Sequence, residues 1–487
     1  MGVRTVGLEL CDAGSIATAG DGSDSWLIPL ENDGAASPGF VYYDGERYVT
    51  GRQAENRSRI YPLHVSDNCW DQLSLRVSDV SVSGSSPFFS ELAYHHLQHI
   101  WKMINLEGPV AKLVLAVPGN YIGTDEEEEK TGLILGMILH LNIPLAAIID
   151  MAAASLIGHP ELEAPKNRRA LHLDVHQRKT VVTAFDLGPP VTRLLVTAIP
   201  IGYARIFNEI TPKLANRFLT LTAFDVTHDA ETEQQFYNQI KTLLAFLKDH
   251  EAVTLEMGGT RRPRKMEVYR DVAARHLDPV SDAMIQLLYR TRADAGIDES
   301  EVVTLFLTNR AGGIPGLAEK LSHKENLALE FLDPGAASEG AAHFGSSVEI
   351  IGDLQEASLT TGFDPGKLGP DNGDADAPNS AGDVESAAAP PVATTPAPTH
   401  IVYSGRAHRI HPAGLDIRDV IPGSGHGLRI KLQEGAAVLE NLNSSTTLIN
   451  HRPAESAEPL QIGDVLTLRG SEPGEERADL IVIFCDM

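Results

Sequence analysis

Residues 355–399 divide this chain. Thr361–Asp383 is rich in Gly, Pro, Asp and Asn, and Ala387–Thr399 in Ala, Pro and Thr. Neither run places apolar residues at helical or strand spacing. Neither can bury enough surface to offset the entropy of ordering it. A disordered acidic linker is expected here. Residues 1–354 and 400–487 are then left to fold on either side of it.

The first of these segments alternates strand and helix. Val3–Leu10 and Ile16–Ala19 read as a hairpin around Cys11-Asp12-Ala13-Gly14-Ser15. Glu91–Ile104 carries an apolar face at helical spacing. Lys112–Val117 is an apolar strand, and the helix after it is expected to be capped by Thr124, with acids from Asp125 onward in its first turn. Pro144–Ile149 is the next strand and Met151–Ile157 a helix. Ala170–Asp174, Thr180–Phe185 and Val191–Pro200 are strands. Helices are expected over Glu233–Leu247, Val268–His276 and Pro279–Arg292. Val302–Leu307 is a buried strand, Thr308–Pro315 a turn and Leu317–Leu321 helical. This order predicts an α/β layer fold. Beyond His400, short strands at Leu428–Leu432, Ala437–Leu439, Thr447–Ile449, Val465–Leu468 and Leu480–Phe484, with Gly463-Asp464 and Gly470 between them, predict a small β-sandwich.

The order of these pieces resembles the nucleotide-binding domain of the 70-kDa heat-shock chaperones, an actin-like ATPase fold in two lobes. Five segments between residues 3 and 352 carry the resemblance. Gly7-Leu-Glu-Leu-Cys-Asp-Ala-Gly-Ser15 stands where the family has Gly-Ile-Asp-Leu-Gly-Thr-Thr. Ala116-Val-Pro-Gly-Asn-Tyr121 is similar to Val-Pro-Ala-Tyr-Phe, and Ile149–Gly158 to Asn-Glu-Pro-Thr-Ala-Ala-Ala-Leu-Ala-Tyr-Gly. Asp174-Val-His-Gln-Arg178 occupies the second phosphate loop, elsewhere Asp-Leu-Gly-Gly-Gly-Thr. Leu307–Pro315 resembles the adenosine loop, and Asp333–Ala342 the closing helical segment. The resemblance implies lobe I over about 1–168 and lobe II over about 169–354.

It also implies ATP or ADP with magnesium as the ligand, or none if the altered loops have lost their grip. Glu9, Asp150 and Asp174 become candidate catalytic carboxylates. Asp12, Ala13, Gly14, His176, Gln177, Arg178, Thr308, Asn309, Arg310, Gly312 and Gly313 become candidate nucleotide contacts. Phosphate loops need close backbone approach, which glycine permits. Here Cys11, His176, Gln177 and Arg178 replace glycines. Asp12 would place a charge against polyphosphate, unfavourable by ~4 kcal/mol at ~4 Å and an effective dielectric near 20. Arg178, Lys179 and Arg310 could compensate, since arginine binds phosphate bidentately.

Residues 400–487 resemble a forkhead-associated domain, through Ser424-Gly-His426, Val438–Leu442, Thr446–Asn450 and Leu460–Leu466. That implies Arg406 (or Arg409), Ser424, His426 and Thr446 as phosphopeptide contacts. The family's Asn-Gly before Thr is missing, so no phosphate dependence is expected.

Two functions follow. One is a heat-shock-chaperone-like scaffold or adaptor with degenerate phosphate loops, binding proteins through both folded parts. The other is an active ATP hydrolase whose nucleotide state is read out by the C-terminal domain. The net charge of −26 argues against nucleic acid or anionic membrane as partner. Arg261-Arg262-Pro-Arg264-Lys265 reads as a solvated loop. The longest apolar run, Gly132–Leu141, is too short to span a bilayer, and the N-terminus has no signal-peptide core. Cys11, Cys69 and Cys485 match no zinc spacing, which fits a reduced cytoplasmic setting. His95, His96 and His99 read as a solvated or packed cluster rather than a metal site, and His408 and His411 as loop residues.

Overall fold

The computed structural model describes residues 4–20, 24–81, 86–121, 127–162, 165–258, 263–348 and 359–365. It also describes, within 400–483, the strands and the turns at 410–411, 414 and 417–421. The chain forms two compact units, Met1–Pro365 and Gly366–Met487. Thr124, Asp125, Arg261, Arg262, most of the expected linker, Ser424, His426, Thr446, Asp464 and Gly470 lie outside the described residues.

The first unit is mixed α/β, as the alternation predicts, and its two main sheets have one plan. In the first, Thr5–Glu9 pairs antiparallel with Ser15–Gly20, which pairs antiparallel with Ser25–Ile28. On its other side Thr5–Glu9 runs parallel to Lys112–Val117, and that strand parallel to Leu145–Asp150. In the second sheet, Arg169–Val175 pairs antiparallel with Thr180–Asp186, and that strand with Val191–Ile199. On its other side Arg169–Val175 runs parallel to Val303–Leu307, and that strand parallel to Leu327–Phe331. A sheet whose parallel strands are covered on both faces needs continuous apolar strands. Leu113–Val117, Leu145–Asp150 and Val303–Leu307 are accordingly buried throughout.

Each plan closes with the same device. Asp150-Met-Ala-Ala-Ala-Ser155 and Asp333-Pro-Gly-Ala-Ala-Ser338 both follow the last parallel strand and both enter helices, Met151–Leu156 and Ala336–Ser346. The second helix crosses back onto the first sheet. A Cβ on Gly340 would sit 1.9 Å from the Ala154 carbonyl, and one on Gly7 would sit 1.9 Å from that of Ser338. Only glycine permits these approaches.

Several sequence expectations are corrected. Tyr203–Thr222 is a helix where the sequence reading expects no element, and it contains Pro212. Val268–His276 and Pro279–Arg292 are not two helices: Arg264–Tyr269 is a strand, paired with Ala252–Met257, and Arg270–Asp294 is one helix containing Pro279. Arg264 and Lys265 of the basic run therefore stand on a strand rather than in a loop. Within Thr308–Pro315, Asn309–Gly312 forms a short helix. The folded unit also extends past residue 354. Leu359–Thr360 pairs with Leu145–Asp150 at the edge of the first sheet, and Gly362–Phe363 with Val191–Ile199 at the edge of the second.

The second unit is a β-sandwich. One antiparallel sheet is built from Arg406–Arg409, His400–Tyr403, Ala478–Ile483, Val465–Leu468, Thr447–Ile449 and Arg452–Pro453. The other is built from Leu415–Asp416, Leu428–Gln433, Ala436–Asn441 and Glu458–Leu460. Ile401, Ile449 and Leu466 of one sheet and Leu428, Ile430 and Leu439 of the other share a core. Strands at 400–409 were not expected from sequence, and His408 and Arg409 belong to one of them.

Candidate functional site

The two sheet plans bring their central carboxylates together. Glu9 ends the first strand of one sheet, and Asp174 stands next to the end of the first strand of the other. Both are buried. Arg310, in the helical turn after Val303–Leu307, reaches between them. Its Nη2 lies 2.7 Å from Asp174 Oδ2 and 2.5 Å from Glu9 Oε1, and its Nε donates to Asp174 Oδ1 at 3.0 Å.

Asp174 is saturated. Thr308 Oγ1 donates to its Oδ1 at 2.7 Å and Val175 N at 2.8 Å, while His176 Nε2 lies 3.0 Å from Oδ2. Burial alone would raise this carboxyl, but the Arg310 and His176 contacts outweigh it and hold it well below the usual carboxylate range. Glu9 pairs with Arg310, and burial, only partly offset by the guanidinium, pushes it up. Arg310 itself is held well above its ordinary value: burial works against the charge, but the two carboxylates prevail.

Asp150 is the third candidate carboxylate. It caps its helix by accepting from Ala152 N at 2.8 Å, and it pairs with Arg193 Nη1 at 2.7 Å. Burial raises its pKa and Arg193 offsets part of that.

The loops expected to hold phosphate are committed elsewhere. Asp12 accepts from Trp70 N at 3.0 Å and Asp71 N at 2.7 Å. Asp12 thus holds the turn at Trp70 and Asp71, and burial pushes this carboxyl well above its ordinary range. Cys11 N donates to Ser15 Oγ at 3.2 Å, and Gly14 N to Cys11 O at 3.1 Å, which closes the turn around Ala13.

In the second loop His176 N donates to Lys179 O at 2.8 Å. The carbonyls of His176 and Gln177 accept from Tyr203 N at 3.0 Å and Ala204 N at 2.8 Å. The N-terminus of the Tyr203–Thr222 helix, which could otherwise attract an anion, is thus spent on this loop. Gln177 Nε2 and Arg178 Nε bind the Asp67 carboxylate at 3.2 and 2.9 Å, and Lys179 pairs with Asp71. Arg178 and Lys179 are therefore engaged with protein carboxylates.

The adenosine-loop candidates divide. Thr308 serves Asp174, Asn309 Oδ1 accepts from Lys248 Nζ at 2.7 Å, and Gly312 and Gly313 line a separate cavity of about 300 Å³ beside Arg270 and Phe331. None of Glu9, Asp174 and Arg310 lines that cavity. Beside the carboxylates a cavity of about 40 Å³ remains, bordered by Glu9, His172, Asp174, Thr308 and Arg310 and by residues 332–337. The buried His172 Nε2 has no partner there among the described residues, and burial lowers that ring's pKa to about 4.

Compared with known proteins, the chain matches no protein-family model and no curated sequence.

A nucleotide with its metal does not fit these residues. The space between Glu9 and Asp174 is filled by a guanidinium, and the amides of Cys11, Gly14 and His176 and the carbonyls of Asp12, His176 and Gln177 are bonded within the protein. Among the described residues no three His, Cys, Asp or Glu side chains are grouped to hold a metal ion. The histidine trio is packed. Trp70 Nε1 donates to His96 Nδ1 at 2.8 Å, His96 Nε2 faces Ser37 Oγ at 3.1 Å, and burial takes His96 down to about 3. His95 stacks on Tyr48 and His99 faces Glu31. Among the described residues no helix is long and apolar enough to cross a membrane.

Arg193, Asp67, Asp71, Tyr203 and His172 escape the sequence reading. One signal was available: the repeat Asp-x-x-Ala-Ala-Ser at 150–155 and 333–338 marks the twofold plan and would have placed the two halves in register.

Proposed function

We propose that residues 1–365 are a heat-shock-chaperone-like member of the actin-like fold that works as a protein-binding scaffold without nucleotide. In this reading the β-sandwich is a forkhead-associated-like interaction module. The observation that carries it is the Arg310 guanidinium seated between Glu9 and Asp174, with a cavity of only about 40 Å³ left beside them. Ligand pockets enclose ~300–1,000 Å³; the cavity beside the carboxylates falls far below that, and the one of about 300 Å³ at Gly312 and Gly313 borders none of Glu9, Asp174 and Arg310. The twice-used strand order, the crossing pair of Asp-x-x-Ala-Ala-Ser helices and the five ordered segments support the fold assignment. The ion-paired loops support the loss of nucleotide.

The test is calorimetric titration of the full chain with ATP and magnesium. No saturable heat is expected up to millimolar nucleotide, and low-micromolar binding would sink the scaffold reading in favour of an ATPase. For the sandwich, a peptide array with and without phosphothreonine is expected to give hits of equal strength. A phosphate-dependent hit would restore the phosphopeptide role of Arg406 and its partners.

A further inference from the structure

The contacts of Arg310 go beyond blocking a site. Glu9 and Asp174 come from different sheets, are both buried, and are bridged by one guanidinium that contacts each. Arg310 is almost as deeply placed, with its side chain 16% exposed. Two ionised carboxylates in a dry interior need a counter-charge, or one of them must keep its proton; here Arg310 supplies the charge to both. Their ligand atoms are hard oxygens, supplemented by the Thr308 hydroxyl. Such sets suit magnesium, manganese or calcium, and magnesium is commonly held by one or two carboxylates with water completing its shell. Removing the guanidinium would enlarge the 40 Å³ cavity that already borders both carboxylates.

We propose that Arg310 is a tethered counter-ion, standing where a divalent cation would bridge Glu9 and Asp174, and that this carboxylate pair becomes a divalent-cation site once the arginine is removed. The inference rests on the scaffold reading and gives it a mechanism. The two sheets are held across the cleft by a charge that the chain itself carries, so closure does not depend on metal supply.

Thermal unfolding and manganese EPR on the full chain test this. Wild type is expected to unfold at the same temperature in chelator and in millimolar Mg²⁺ or Mn²⁺, with no protein-bound manganese signal. Arg310→Met is expected to lose stability in chelator, to regain several degrees with Mn²⁺, and to give a bound-manganese spectrum that Glu9→Gln in the same background abolishes. Arg310→Lys, which keeps the charge, is expected to behave as wild type.

Manganese bound in wild type and lost with Glu9→Gln would overturn the proposal. So would a folded Arg310→Met that ignores metal. If Arg310→Met fails to fold in chelator, recovery on refolding in millimolar Mg²⁺ supports the proposal, and failure in both conditions overturns it. The ATP titration on wild type is independent: nucleotide binding there sinks the scaffold reading, whereas a metal-blind Arg310→Met sinks only the tethered-cation assignment.

Discussion

Asp174 collects contacts from Val175, His176, Thr308 and Arg310. Replacing it by Asn leaves Arg310 with a less complete partner set in a buried site. Removing one member of a buried pair costs ~3–5 kcal/mol, so urea unfolding of Asp174→Asn should show a loss of that order. ATP titration should be equally featureless in both proteins. The loss has a pH signature. Asp174 is held well below its ordinary range in the fold, so it binds protons more readily when unfolded. Its stabilisation is complete above the unfolded value, near pH ~3.9, and fades as pH falls further toward the folded value. The stability gap between wild type and Asp174→Asn should therefore be flat from pH 7 to 5 and narrow below about pH 4. Asp71, lowered beside Lys179 against the effect of its own burial, adds a contribution of the same sign. The family resemblance singled out Glu9, Asp174 and Arg310 as candidates. It could not give their pairing, because Asp174 and Arg310 are far apart in sequence and only the packing of two sheets joins them.

Single elements show where local pattern suffices and where it misleads. Lys112–Val117 was legible because a buried parallel strand must be continuously apolar. Tyr203–Thr222 was missed and Arg270–Asp294 was split, and each contains a proline, Pro212 and Pro279. Proline removes one backbone bond and crowds the preceding turn. Here the buried faces prevail, with Ile206, Ile210, Leu214 and Phe218 on one helix and Leu277, Val280, Met284 and Leu288 on the other. Arg264–Tyr269 hid its alternation behind charges, since only Met266 and Val268 face inward. The crossing helix makes a sharper claim. Gly7→Ala would put a methyl 1.9 Å from the Ser338 carbonyl. Displacing Ala336–Ser346 from the first sheet should cost ~1–3 kcal/mol, as overpacking does, and calorimetric melting should show it. Gln234 and Lys241 act at another junction: Gln234 accepts from Arg59 N at 2.7 Å and Lys241 pairs with Glu55 at 2.5 Å. Lys241→Met should raise hydrogen exchange over residues 52–59 while leaving the Arg169–Val175 strand protected. Equal exchange at 52–59 in both proteins would contradict that.

Across the whole chain, the alternation of strand and helix announced an α/β unit, and turn spacing announced the sandwich. The boundary was misjudged because Leu359–Phe363 is short and lies against polar, Gly- and Pro-rich sequence. Its place is fixed by two sheet edges far away in sequence, with Phe363 buried against Val191–Ile199. A fragment ending at residue 356 should accordingly melt below one ending at residue 365, although both retain every helix described up to Ser346. Equal melting temperatures would show that the edge pairing contributes nothing.

That pairing also bears on synthesis. Until residue 363 has left the ribosome, Leu145–Asp150 and Val191–Ile199 are outermost strands of their sheets, with one side of each lacking its final neighbour. Open edges invite pairing with other chains. At ~5–20 residues per second, the nascent protein carries both exposed borders for many seconds. Residues 359–363 then pair with both borders in one short stretch, two residues on each, before the sandwich has been translated.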